Sequence, residues 1–416
     1  MRPHHWISGL LLGFAVAAPA AGDEKEADGF MPMFNGRDLS GWVNVNCAPS
    51  TFFVKDQQII TTGKPTGYLR TVRQYENFIA QFDWMHVPPA PGAVGNSGFF
   101  VWADPIPAVG TGYTRGIEVQ VLVNLTYRDK KTGAVTATSQ GDLFSIWGAK
   151  CVPDRPHPLG WARCLPAEDH CKGANEWNHY RVEANNGVIK LAVNGAVVSG
   201  VSQCTPRKGY LALESEGSEC RFRNLKIKHL PSTRPAPDEV ADLARGHQSL
   251  YTGLDLSGWQ TEETARKHWQ PRDTVLHHDG QGTATGGLHT EKEYADAEFI
   301  VDFRFPARDA RPCTFVFRGG GRDALTFTIA PDGRITLEQK GAAEQRRLAT
   351  SSSKALKPVG QWNRLAAAVK GDIFDARING QAAESQRNLD LPPKGSFGLQ
   401  PDGAIDFANL FVRALE

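Results

Sequence analysis

The sequence contains itself. Phe34-Asn35-Gly36-Arg37-Asp38-Leu39-Ser40-Gly41-Trp42 returns at an offset of 217 as Tyr251-Thr252-Gly253-Leu254-Asp255-Leu256-Ser257-Gly258-Trp259. Further on, Glu176-Trp177-Asn178 matches Gln361-Trp362-Asn363, Asn194-Gly195 matches Asn379-Gly380, and Phe222-Arg223-Asn224-Leu225 matches Phe407-Ala408-Asn409-Leu410, all at an offset of 185. Two copies at so long a period are not solenoid units but two domains of one fold. The offset shrinks by 32, so the first copy holds about 32 residues in its middle that the second lacks. Pro231-Ser232-Thr233-Arg234-Pro235-Ala236-Pro237-Asp238 between the copies reads as a linker. The expected organisation is a first domain at 30–230, a linker at 231–248 with a short helix over Asp238–Arg245, and a second domain at 249–416.

Both copies read as all-β. Gly187 to Val198 alternates around Asn194-Gly195, and Ile373 to Ala382 around Asn379-Gly380; Asn-Gly between alternating strands is a strong hairpin signal. Phe78–Trp84, Gly98–Trp102, Ile117–Val123, Tyr210–Ser215 and Arg221–Lys228 read as strands. Many short strands with turns between them predict β-sandwiches.

Arg2, His4 and His5, the apolar run Ile7–Ala17 and Ala18-Pro19-Ala20 have the build of a signal peptide over residues 1–21. The expected location is periplasmic or extracellular, and no later segment is apolar enough to span a membrane. Export permits disulfides. Six of the seven cysteines precede residue 221, and they are expected as disulfides or buried thiols, with Cys151–Cys164 one candidate pair. Lys and Arg number 46 against 45 Asp and Glu, a balance that argues against nucleic acid as a partner.

Chemistry-bearing residues fall on alternating strands. Glu118 and Gln120 share one strand face while Val119 and Val121 take the other, which must be the core. Leu211 and Leu213 likewise point inward and set Glu214 and Glu216 outward together. Neighbouring carboxyls raise one another's pKa, which suits an acid, or they bind a cation jointly. The middle segment from Gly141 to Cys164 carries too much proline for regular structure and is expected as a long loop. Trp147 and Trp161 on it suit stacking on a sugar ring, and Lys150, Arg155 and His157 suit an anionic oxygen.

Six motifs in order resemble a known family: Phe-Asn-Gly-x-x-Leu-x-Gly-Trp, Asn96-Ser97-Gly98, Glu118-Val119-Gln120, Glu176-Trp177-Asn178, Val193-Asn194-Gly195 and Phe222-Arg223-Asn224. Together they are similar to the 3-keto-disaccharide hydrolase domain, closely over 30–230 and weakly over 249–416. The resemblance implies a concanavalin A-like jelly-roll sandwich and an exported bacterial protein that cleaves glycosides already oxidised at the third carbon. It also implies a separate sugar oxidoreductase that makes the substrate. A ketone there acidifies the hydrogen on the second carbon, so the site needs a base, a group for the enolate and an acid for the leaving oxygen. A divalent metal polarising the ketone is compatible with this chemistry.

The expected assignments follow. Glu118 acts as base or metal ligand, with His157 and Glu216 as further catalytic groups. Asn96, placed by the family motif on the strand beside Glu118, binds substrate together with Gln120, Trp147, Lys150, Arg155, Trp161 and Glu214. Trp177, Asn194, Gly195, Phe222 and Asn224 recur in both copies and read as structural. Aligning Phe315-Val316-Phe317 with Phe100-Val101-Trp102 puts Thr326 and Thr328 at the places of Glu118 and Gln120, and Gln400 and Asp402 at those of Glu214 and Glu216. The second copy therefore keeps the fold and loses the chemistry, serving as a glycan-binding unit or a buttress. The rival reading for the whole chain is a lectin-like, non-catalytic carbohydrate-binding protein.

Overall fold

The computed structural model describes residues 28–282, 287–307, 309–320, 323–341 and 345–416. The signal-peptide expectation lies outside these residues. Among them no helix is long and apolar enough to cross a membrane.

Each copy is an antiparallel sandwich of two sheets. In the first, a seven-stranded sheet runs in the order Arg163–Cys164, Gln140–Ile146, Gly116–Val123, Gly95–Ala103, Tyr210–Ser215, Gly67–Thr71, Trp42–Val45. Facing it is a nine-stranded sheet centred on Asn178–Asn185, Phe78–Val87 and Glu219–His229. The period-two pattern explains the layers. Along Phe78–Val87 every second residue is buried, and Phe82 and Trp84 meet Phe99, Tyr180 and Phe222 between the sheets. Burying rings of this size contributes roughly 1.5–3 kcal/mol each. The second copy repeats the arrangement with an eight-stranded and a seven-stranded sheet and its own phenylalanine-rich core.

Both predicted hairpins are present. Asn194 and Gly195 have φ of 48° and 96°, and Asn379 and Gly380 have 50° and 81°, the two successive left-handed residues that a tight hairpin turn requires.

Three expectations need correction. The proline-rich middle segment is not a loop throughout. Gln140–Ile146 pairs with Gly116–Val123, Lys150–Pro153 pairs with Ala196–Thr205 on the other sheet, and Arg163–Cys164 returns to the first. Pro153 is tolerated because its strand is an edge and a missing N–H there costs no ladder bond. The linker forms only a short 3-10 turn at Pro237–Glu239, and residues 241–247 have no regular structure. The chain there lies extended along the first domain, held by Ala241 N–H on Lys208 O (2.8 Å) and by the Gln74 amide on Ala241 O (2.8 Å). Finally, all seven cysteines are free thiols, so Cys151 and Cys164 pack without a bridge.

The outer face of the seven-stranded sheet is divided. Tyr68, Phe100, Tyr210 and Ala212 form an apolar patch that Ile300 and Phe411 of the second copy cover. The remainder of that face, over Gly116–Val123 and Gln140–Ile146, is open.

Candidate active site

The open half of the face holds a cavity of about 420 Å³. Its floor is made by Asn96, Glu118, Gln120 and Glu216, its flank by Tyr113, Phe144 and Arg163, and its rim by Trp147 and Trp161. Alternation aims the floor residues outward, because Ile117, Val119 and Val121 are committed to the core.

Two carboxyls meet at a glycine. Gly98 lies opposite Gln120 in the ladder, flanked by Glu118 on one neighbouring strand and Glu214 on the other. A Cβ at position 98 would fall 3.0 Å from Glu118 Oε1 and 2.9 Å from Glu214 Oε2. The missing side chain is the space these two carboxyls occupy. Glu118 is only 6% exposed. Burial, the negative charge of Glu216 and that of Asp142 push its carboxyl up to about 8, while Arg163 pulls the other way. Glu214 is held well above the ordinary carboxylate range by burial and by Glu118 and Glu216. No hydrogen-bond partner reaches either of its oxygens among the described residues, so the charged form is left without support there. Glu216 is supported: Asn96 Nδ2 donates to its Oε2 at 2.5 Å and the Tyr113 hydroxyl to its Oε1 at 2.7 Å.

Polar contacts fix the rest of the floor. Gln120 Nε2 donates to Asn96 Oδ1 (3.0 Å), and Gln120 Oε1 accepts from Arg163 Nη2 (3.1 Å). Arg163 Nε donates to the fully buried Asp142 (2.6 Å), and its guanidinium covers the Phe144 ring at 3.9 Å. The result is an immobilised positive charge facing a near-neutral carboxyl. On the rim, Trp147 is 54% exposed and parallel to Tyr113 at 8°, and Trp161 is 49% exposed and parallel to His157 at 10°. Two large rings with free faces are costly to leave in water and suit the apolar faces of a sugar.

Of the residues singled out from sequence, Asn96, Glu118, Gln120, Trp147, Trp161 and Glu216 line the cavity, with Glu214 beneath it. Lys150, Arg155 and His157 do not. Lys150 opens an edge strand of the opposite sheet. Arg155 spends its guanidinium on the carbonyls of Leu165 (2.6 Å) and Val198 (2.5 Å). Both ring nitrogens of His157 are taken: Nε2–H donates to Thr136 O (2.9 Å) and Nδ1 accepts from Leu159 N–H (3.1 Å). No nitrogen remains for proton transfer, so His157 holds Trp161 rather than acting on substrate. Tyr113, Asp142 and Arg163 were missed. Arg163 stood two residues after Trp161 in the segment already suspected, whereas Asp142 and Tyr113 carry no local signal. Among the described residues no group of three or more His, Cys, Asp and Glu is placed to hold a metal ion.

A larger cleft, about 1090 Å³, covers the matching face of the second copy. There Thr314 is opposite both Thr328 and Gln400, which makes it the counterpart of Gly98. Thr326, Thr328, Gln400 and Asp402 then stand for Glu118, Gln120, Glu214 and Glu216, as the sequence suggested. The register differs by one residue from that expected of the sequence, since Phe315 is core and matches Phe99 rather than Phe100. Threonine hydroxyls and an amide thus stand where Glu118, Gln120 and Glu214 stand in the first copy, and only Asp402 keeps a carboxyl at its place.

Among solved structures the chain is similar to a glycosyl hydrolase candidate from Parabacteroides distasonis (22% identity, 51% of this chain and 99% of that one, TM-score 0.38). It is also similar to the carbohydrate-binding module CBM66 from Bacillus subtilis (14% identity, 38% and 96%, TM-score 0.31). A third is the β-glucanase of Bacillus licheniformis (9% identity, 38% and 94%, TM-score 0.32). No curated protein matches. The profile of one domain family matches residues 29–228 and again residues 246–413. The chain therefore belongs to the 3-keto-alpha-glucoside-1,2-lyase-like domain family, of which it carries two copies.

Proposed function

We propose that this is an exported enzyme that cleaves glycosides oxidised at the third sugar carbon, with its site in the first copy. The observation that carries this reading is Glu118, a buried carboxyl with a pKa raised to about 8 on the floor of an aromatic-rimmed cavity and across from Arg163. A base of that strength is suited to a carbon acid next to a ketone, and Brønsted behaviour favours a catalytic pKa near the working pH.

Ionised Glu118 takes the proton from the second carbon. The C–H electron pair forms the enolate of the third-carbon ketone, and Arg163 faces the charge that develops on its oxygen. The enolate collapses back to the ketone, a double bond forms between the first and second carbons, and the glycosidic C–O bond breaks. Glu216, which faces the cavity with its carboxyl pKa raised by burial, gives the departing oxygen its proton. Water adding to the unsaturated sugar gives net hydrolysis. Trp147 and Trp161 bind the two sugar or aglycone rings, and Asn96 and Gln120 their hydroxyls. The substrate must come from an oxidoreductase acting on the parent glycoside.

The test is turnover of 3-keto and parent glucosides bearing a chromogenic aglycone, with and without chelator. Release from the keto sugar alone, unaffected by chelator, supports the reading. Binding of either sugar without release would make the chain a carbohydrate-binding protein instead.

A further inference from the structure

The loop between Asp104 and Arg115 belongs to the first copy, yet the second copy holds it. Gly110 N–H donates to Asp302 Oδ2 (2.8 Å), Arg364 Nη2 donates to Pro107 O (2.9 Å), and Asn409 Nδ2 donates to Ala108 O (3.0 Å). The three gripping side chains are joined to one another. Arg364 forms a two-pronged bond to Asp302 (2.7 and 2.9 Å), and Asn409 adds another (2.6 Å). Trp362 lies so close that a Cβ at Gly110 would be 2.1 Å from its Cγ. Asp302 and Asn409 are fully buried, where a hydrogen bond to charge is strong and its loss is costly.

The repeat shows how this grip arose. In the first copy Asp83, His179 and Asn224 form the same triad, with His179 Nδ1 at 2.8 Å and Asn224 Nδ2 at 2.7 Å from Asp83, but among the described residues it bonds to none of the second domain. Trp177, the counterpart of Trp362, carries Arg223 on its ring instead.

From the gripped segment a short route leads into the cavity. Ala108 N–H donates to Tyr113 O (2.9 Å), Thr111 N–H to Ala108 O (3.3 Å), and Tyr113 N–H to Thr111 Oγ1 (3.0 Å). The Tyr113 hydroxyl then donates to Glu216 and its ring lies parallel to Trp147. We infer that the second copy is a built-in part of the first copy's active site: Asp302, Arg364 and Asn409 are positioning residues that hold Tyr113 on Glu216 and beside Trp147. The degenerate domain has exchanged chemistry for geometry.

The test uses the full chain in three forms: Asn409→Gly, chosen because Asn409 has a φ of 49° that glycine accepts, Arg364→Gln and Tyr113→Phe. Amide hydrogen exchange is read over residues 104–115. Both grip variants should speed exchange there by about tenfold or more while 116–123 stays protected. Unchanged exchange in both would overturn the inference, whatever the enzyme does. The kinetic arm rests on the proposed function. Asn409→Gly and Tyr113→Phe should each lower kcat by about tenfold on a 3-keto glucoside, and the double variant should fall no further than the worse single one. Additive losses would also overturn it, because Asn409 would then act by some route other than Tyr113. If the unaltered chain turned over no keto sugar, the proposed function would fail and the exchange result would still decide the grip.

Discussion

At the scale of single residues the site depends on one absent side chain. Gly98 leaves the gap in which Glu118 and Glu214 face each other. Gly98→Ala puts a methyl group within 3.0 Å of both oxygens, closer than real contacts allow, so at least one carboxyl must move. The expected outcome is a folded protein, by circular dichroism, with kcat down at least about tenfold; a wild-type rate would contradict the proposed geometry. Trp147→Ala and Trp161→Ala remove sugar platforms distant from the proton transfer. Steady-state kinetics should show KM rising several-fold with kcat nearly kept. His157→Gln should behave like Trp161→Ala and not like a lost catalytic group, with thermal stability down about 1–2 kcal/mol because Thr136 O and Leu159 N–H lose buried partners. Sequence could place Glu118, Gln120, Glu214 and Glu216 because alternation dictates which face a strand residue takes. It could not separate His157 from Arg163. Both sit in one irregular segment, and only the backbone path decides which turns inward.

At the scale of elements, legibility follows periodicity. Strands with one buried face, such as Phe78–Val87, are readable because a one-residue slip would expose the core. The insertion was misread as a loop because proline content argues against central strands, not against edge strands, and sequence does not reveal which strand is the edge. The segment nonetheless supplies Phe144, Trp147, Trp161 and Arg163, whereas the strands at that place in the second copy, Arg334–Lys340 and Gln345–Ser352, carry no tryptophan. The linker failed as a helix because Gln74 and Lys208 offer its backbone partners in an extended form. A helix would forfeit those bonds.

At the scale of the whole molecule, the two copies are one working unit, and the buried acids couple it to pH. Glu118, Glu214 and Glu216 all have raised pKa values, chiefly from burial. The folded chain therefore keeps protons that the unfolded chain has released. This stabilisation is complete below the ordinary glutamate pKa and is lost as pH climbs through about 8. Buried His86 and His278 and half-buried His289, with lowered pKa values, tilt stability the opposite way below about pH 6.5, so the clear window is about 6.5 to 8. Over it Tm should fall with rising pH, by up to about 1.4 kcal/mol of stability per pH unit for each proton, and Glu118→Gln should flatten the slope. An equal slope in both proteins would mean that Glu118 titrates normally.

The central claim is that Glu118 removes the proton from the second carbon of a keto sugar. The direct measurement is single-turnover aglycone release from a 3-keto glucoside carrying hydrogen or deuterium at that carbon, by the unaltered chain and by Glu118→Gln. The unaltered chain should show a primary isotope effect, and the variant a rate about a hundredfold to ten-thousandfold lower. Release without an isotope effect, at the same rate in both proteins, would contradict the claim.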